Sequence, residues 1–178
     1  MSDAKEKFRA FRFAGIIAFV CCLLITGAST GLKKFQLENK ELDRQKNVLS
    51  AAGAFDGKDP GSDERIRELY KQRIEKVRVN NQGRLIRKDK EQGLTLYLYT
   101  IDGKLAAYIV PIESRGLWGK INGYMAIEKD GKTVAGFSVY NHSETPGLGG
   151  EIEKEWFGEN FVGKRIVNRS GEFVSVAV

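Results

Sequence analysis

Residues 94–112 read L-T-L-Y-L-Y-T-I-D-G-K-L-A-A-Y-I-V-P-I. Leu94 to Ile101 and Leu105 to Ile112 are rich in β-branched and aromatic residues and flank Asp102-Gly103, the pattern of a β-hairpin. Pro111 cannot donate a ladder hydrogen bond and places the far end of this hairpin at a sheet edge. Ile121 to Glu128 and Thr133 to Tyr140 repeat the pattern around Asp130-Gly131. Two adjacent hairpins imply an antiparallel sheet, and helices before and after it are available to cover a face. The fold class expected is α+β. Tyr97, Tyr99 and Tyr108 lie within the strand pattern and read as packing residues, not redox tyrosines.

Upstream of the sheet, Ser62-Asp63-Glu64 offers a cap and first-turn acids, and Ile66, Leu69, Tyr70 and Ile74 share one face. A helix from Ser62 to Lys76 is expected, its Arg and Lys residues forming the solvated face. The turn-rich stretch Gly53 to Gly61, with Gly57, Asp59 and Pro60, separates it from what comes before. There Phe35, Leu42 and Leu49 recur every seventh residue among charged neighbours, the pattern of an amphipathic stalk helix over 33–52.

From Phe13 to Leu32 the chain carries no charge for about 20 residues, enough helix to cross a ~30 Å hydrocarbon core. A cleaved signal peptide would have a shorter apolar run and a cleaner small-residue site than Thr26-Gly27-Ala28, so a retained transmembrane helix over 13–32 is expected. Lys5, Lys7, Arg9 and Arg12 precede the span, and Lys33, Lys34, Lys40, Arg44 and Lys46 follow it. Charge counting therefore leaves its orientation open.

The 178 residues suffice for one globular domain plus this accessory segment, and 42% hydrophobic with 29% charged residues describes a folded chain. The net charge of +6 is spread among interleaved acids, and no nucleic-acid-binding motif accompanies it. Its use is a solvated surface near anionic lipid headgroups, with no nucleic-acid partner expected. Cys21 and Cys22, the only cysteines, both lie in the apolar run. The soluble part thus has no disulfide, thiol nucleophile or cysteine metal site. His142 is the only histidine, which excludes multi-histidine metal centres and histidine triads.

Two loops interrupt the strand pattern: Glu113-Ser114-Arg115-Gly116-Leu117-Trp118-Gly119, and N-H-S-E-T-P-G-L-G-G at Asn141 to Gly150. The glycines and Pro146 of the second allow bare backbone to approach a flat or anionic ligand. Because the intervening hairpin turns the chain back on itself, both loops can emerge at one end of the sheet and share a pocket. Each residue also has a plainer reading: Trp118 as core, Glu144 as a cap of the following turn, Thr145 as a loop support.

R-G-L-W-G at Arg115 to Gly119, G-Y-M-A-I at Gly123 to Ile127 and H-S-E-T-P-G-L-G-G-E at His142 to Glu151 carry a resemblance. With the order of span, stalk and mixed domain, the chain resembles the FMN-binding domain of the C subunit of the Na+-translocating NADH:quinone reductase. It is similar also to the related G subunit of ion-translocating ferredoxin:NAD oxidoreductases. The resemblance implies a membrane-anchored flavoprotein subunit that relays electrons through FMN beside other membrane subunits, an electron carrier and not an independent catalyst. It implies a bacterial inner-membrane protein with a cytoplasmic tail over 1–12 and a periplasmic FMN-binding domain over 53–178. By the same resemblance, Leu117, Trp118, Glu144, Thr145, Leu148 and Gly149 are expected to contact FMN. In the family FMN is attached through its phosphate to a threonine, in an S-G-A-T-x-[ST] motif. That motif is absent here: the sequence ends at Val178 after the strand-like Glu172 to Val178, and a shortened chain is the expectation. The alternatives are the ferredoxin-linked G-type subunit and a flavin-free membrane-anchored scaffold.

Overall fold

A computed structural model describes residues 2–55, 59–86 and 93–174. The chain divides into two units, Met1–Glu41 and Leu42–Val178. One helix, α1 (Ser2–Ala51), begins in the first and ends in the second. In the first unit Phe13, Ile16, Leu23, Leu24 and Leu32 are exposed, and α1 is long and apolar enough to cross a membrane. Of the three residues in the seven-residue seam, Leu42 and Leu49 are buried in the second unit, whereas Phe35 in the first is exposed.

Helix α1 stops for a local reason. Gly53 adopts φ +64°, and its N–H donates to the Ser50 carbonyl while the Ala54 N–H donates to that of Leu49. This is a Schellman cap, and the two apolar residues that flank it, Leu49 and Ala54, are both buried. Helix α2 (Asp63–Arg73) follows, its first turn capped by Ser62, whose Oγ accepts the Arg65 N–H at 3.4 Å.

A five-stranded antiparallel meander follows in chain order: β1 (Ile74–Val79), β2 (Leu94–Ile101), β3 (Lys104–Arg115), β4 (Lys120–Glu128) and β5 (Val134–Asn141). The α+β class holds, but the expected helix to Lys76 is cut short at Arg73. Ile74, Val77 and Val79 are β-branched and pair with Tyr99, Leu96 and Leu94, so strand pairing overrides the helical pattern there. Beyond β5 come a 3-10 helix (Gly149–Glu153) and a short helix α3 (Glu155–Glu159). The turn residue Gly57 and Ser175 to Val178 of the strand-like end lie outside the described residues. In its described part Phe173 bridges Val167, and the Val174 N–H donates to the Ile166 carbonyl at 2.9 Å.

One sheet face is covered by the last turns of α1 and by α2. Tyr97, Tyr99, Ala107, Ile109, Tyr124 and Ala126 bury against Leu42, Val48, Leu49 and Ile66. Ser138 Oγ donates to the Asn47 carbonyl at 3.0 Å, binding β5 to α1 directly. Arg44 Nη1 donates to the Tyr97 hydroxyl at 2.8 Å, and its guanidinium lies 5.6 and 5.7 Å from the Tyr97 and Tyr70 ring centroids. Tyr97 and Tyr99 are thus packing residues. Burial first, then the neighbouring Tyr97 and Tyr140, push the Tyr124 hydroxyl well above its ordinary pKa, so it stays neutral. On the other face, Phe137 stacks on Phe161 with centroids 4.4 Å apart.

The two Asp-Gly pairs make different turns. Asp102 and Gly103 both take positive φ, 50° and 72°, the geometry of a two-residue type I′ loop. At the second pair only Gly131 does so, and Asp130 instead closes the turn with its side chain. Its Oδ1 accepts the N–H groups of Lys132 and Thr133 at 2.8 and 3.0 Å, and its Oδ2 accepts the Thr133 hydroxyl at 2.7 Å. These bonds, the Thr133 hydroxyl foremost, hold the Asp130 carboxyl below its ordinary pKa. A depressed carboxylate stabilises the fold above its unfolded-state pKa, and that contribution fades as pH falls through the folded-state value. Asp130→Ala is therefore expected to lower the thermal midpoint at pH 7, with the deficit closing in acid. A deficit that is the same at pH 3 and pH 7 would remove this account of the turn.

Candidate functional site

Strands β3 and β4 form a hairpin of their own, with register running out to Arg115 and Lys120 and the Gly116 N–H donating to the Gly119 carbonyl at 2.8 Å. Leu117 and Trp118 are the two residues at its tip. Pairing of β3 with β2 ends at Ile109, so Pro111 lies where no bond to β2 is lost, although β3 is the central strand.

The glycine loop leaves β5 at the same end of the sheet. Thr145-Pro146-Gly147-Leu148 is a β-turn closed by the Leu148 N–H to the Thr145 carbonyl at 3.1 Å, with Gly147 at φ +74°. Proline followed by a positive-φ glycine is what a type II turn demands. The Thr145 carbonyl also accepts the Gly150 N–H at 3.0 Å, folding the chain into the 3-10 helix.

The two loops meet. Glu144 Oε1 accepts the Trp118 N–H at 3.0 Å. A side chain on Gly116 would come within 2.9 Å of the Glu144 Cδ, and one on Gly149 within 3.1 Å of its Oε2. Ser143 lies equally close to Gly119. At each of these glycines an added Cβ would displace the Glu144 or Ser143 side chain that occupies the junction.

Of the residues expected from sequence, Leu117, Trp118 and Leu148 stand out into solvent, 82, 68 and 74% exposed. Trp118 is therefore not core. Three large apolar side chains on two touching loops, beside glycine backbone, suit a flat ligand with a polar edge. Glu144 and Gly149 lie at the junction, and Thr145 forms the turn beside it. Among the described residues no His/Cys/Asp/Glu group is arranged to hold a metal.

Sequence placed His142 at the start of the glycine-loop run but gave it no part in the loop's geometry. Its Nδ1 accepts the Glu144 N–H at 3.2 Å, so the neutral ring carries its proton on Nε2, which faces Glu153 Oε2 at 3.3 Å. A ring nitrogen taking the N–H two residues on does the work of an Asx turn, and no spacing rule for histidine announces it.

A groove of about 700 Å³ runs along β5 between Asp43, Asn47 and Ser50 of α1 and Ile152, Lys154 and Glu159. It is lined by none of the six expected residues. The exposed apolar residues at the junction of the two loops favour the loop pair over the groove.

A family model described as FMN-binding domain matches residues 116–176, beginning at the hairpin tip and containing the whole of the glycine loop. The C subunit of the Na(+)-translocating NADH-quinone reductase of Pseudomonas aeruginosa is 30% identical, over 97% of this chain and 77% of its own length. That of Yersinia pestis is 32% identical, over 88% of this chain and 70% of its own. The crystal structure of the same reductase's C subunit from Parabacteroides distasonis superposes with a TM-score of 0.71 at 31% identity, covering 82% of this chain and 75% of that one. NqrC of Shewanella oneidensis, at 24% identity and a TM-score of 0.67, shares the fold. By sequence over nearly its whole length and by the architecture that carries the two loops, the chain belongs to the family of the C subunit of the Na(+)-translocating NADH-quinone reductase.

Proposed function

We propose that the chain is a membrane-anchored flavoprotein subunit, holding FMN between the hairpin tip and the glycine loop and relaying electrons within a Na+-translocating NADH:quinone oxidoreductase. The observation that carries the reading is the meeting of the two loops through Glu144, with Leu117, Trp118 and Leu148 exposed beside the junction. When bound, FMN supplies one- and two-electron redox chemistry that no side chain here provides.

The protein's part is placement. Leu117, Trp118 and Leu148 wall an isoalloxazine ring and keep water from its face, while backbone amides near Thr145 and Gly149 address its polar edge or phosphate. Helix α1 is the anchor, spanning a bacterial inner membrane with the amino terminus cytoplasmic and the second unit on the periplasmic side. The other membrane subunits of the reductase are its partners, and covalent attachment to a threonine is the family's way of retaining the flavin.

The test is direct titration of the full chain, in detergent micelles, with FMN. Saturable quenching of flavin fluorescence is expected, because stacking on Trp118 brings the two rings into contact. No saturation by roughly 100 µM FMN would count against the flavin reading and for a scaffold on the same fold.

A further inference from the structure

The geometry points to Glu144 as a positioning residue: its carboxylate ties the Leu117-Trp118 tip to the glycine loop and so fixes where the two loops stand relative to each other. This rests on the proposal that FMN is held by these two loops. Oε1 is engaged by the Trp118 N–H at 3.0 Å, a bond across 26 residues of chain. Gly116 and Gly149 leave room for the carboxylate, since a Cβ at either would crowd it, 2.9 Å from Cδ and 3.1 Å from Oε2. The glycines make room for Glu144 as much as for a ligand.

Glu144 is itself held from behind. Its N–H donates to His142 Nδ1, and His142 Nε2 donates to Glu153 Oε2 at the end of the 3-10 helix. Trp118, Glu144, His142 and Glu153 thus form one series of bonds running from the hairpin tip to the helix that follows the glycine loop. A carboxylate turned toward FMN would meet a phosphate of like charge, whereas one bonded to a backbone N–H gains a charge-assisted hydrogen bond. The second arrangement is the one present.

Glutamine keeps an oxygen that can accept the Trp118 N–H and loses the charge, while alanine loses both. Hydrogen exchange of the peptide spanning 116–120 in the FMN-free full chain reads the clamp alone. Glu144→Ala is expected to exchange there about tenfold faster or more, and Glu144→Gln to restore protection to within about threefold. Should the alanine variant fail to fold, Glu144→Asp, one methylene shorter, is expected to behave like it. With FMN bound, the midpoint potential of Glu144→Gln is expected to stay with that of the unsubstituted chain and Glu144→Ala to depart from it. Unchanged exchange in Glu144→Ala, or equal potential shifts in Gln and Ala, would overturn the positioning role. Loss of FMN binding by every form, with the exchange contrast intact, would instead remove the flavin reading and leave the clamp standing.

Discussion

Gly136→Val is expected to destabilise the second unit by about 3 kcal/mol or more, the largest stability loss of any single substitution argued for this chain. Gly136 sits in β5 opposite Ala126, and a Cβ there would run into the carbonyl of Ala51, the last residue of α1. The obstacle is backbone and cannot rotate away as a side chain would. Nor can the helix end lift cheaply. The Schellman cap fixes the chain just beyond Ala51, and Val48, Leu49 and Ala51 are fully buried against the sheet. Either β5 leaves β4, or three apolar residues return to water; against a net stability of ~5–15 kcal/mol for a typical domain, both are severe. Urea unfolding of the full chain, followed by tyrosine and tryptophan fluorescence, would read it. A midpoint equal to that of the unsubstituted chain would show that α1 and β5 are not in the contact described. Gly136→Ala should err in the same direction by less.

That contact also marks the boundary of what sequence reading reaches. The hairpins were legible because each carries its own turn chemistry: Asp102-Gly103 with both residues at positive φ, and Asp130 answering through its side chain. The cap at Ser62 and the apolar face of α2 were legible for the same local reason. Strand β1 was hidden because Ile74 continues the helical spacing of Ile66 and Tyr70, and only its pairing with Tyr99, 25 residues later, makes it a strand. The packing of α1 on the sheet was hidden too. A seven-residue seam through Leu42 and Leu49 announces a buried stripe without naming what buries it, and its third member, Phe35, is exposed.

The site followed the same division. Residue types at the two loops pointed to a flat ligand, and hairpin topology brought the loops to one end. The Trp118–Glu144 bond joins residues 26 apart, and the turn made by His142 has no composition signal. Glu144 shows the difference most clearly. Its chemistry suits a ligand contact, a turn cap or a clamp, and the bond from the Trp118 N–H to its Oε1 is the geometric fact that sequence could not supply.

Leu148→Asp separates a ligand wall from a structural residue and is expected to weaken FMN binding about 100-fold while leaving the unfolding midpoint in place. Leu148 is 74% exposed, so in the free chain it has few core contacts to lose. On the proposed reading, what it buries it buries on the flavin. Full burial of a leucine against a ring is worth roughly 1.5–3 kcal/mol, and about 1.4 kcal/mol is a factor of ten in affinity. An aspartate at that point removes the apolar contact, must shed water in the cleft, and repels the FMN phosphate, all in the same direction. Leu148→Met, which keeps volume and apolarity, is expected to bind within about threefold of the unsubstituted chain. The same fluorescence titration and urea series read both quantities on each variant. An unaltered affinity in Leu148→Asp would place any flavin away from the glycine loop. A collapse of the unfolding midpoint would make Leu148 a packing residue despite its exposure, and the apolar wall of the cleft would then have to come from the hairpin tip alone.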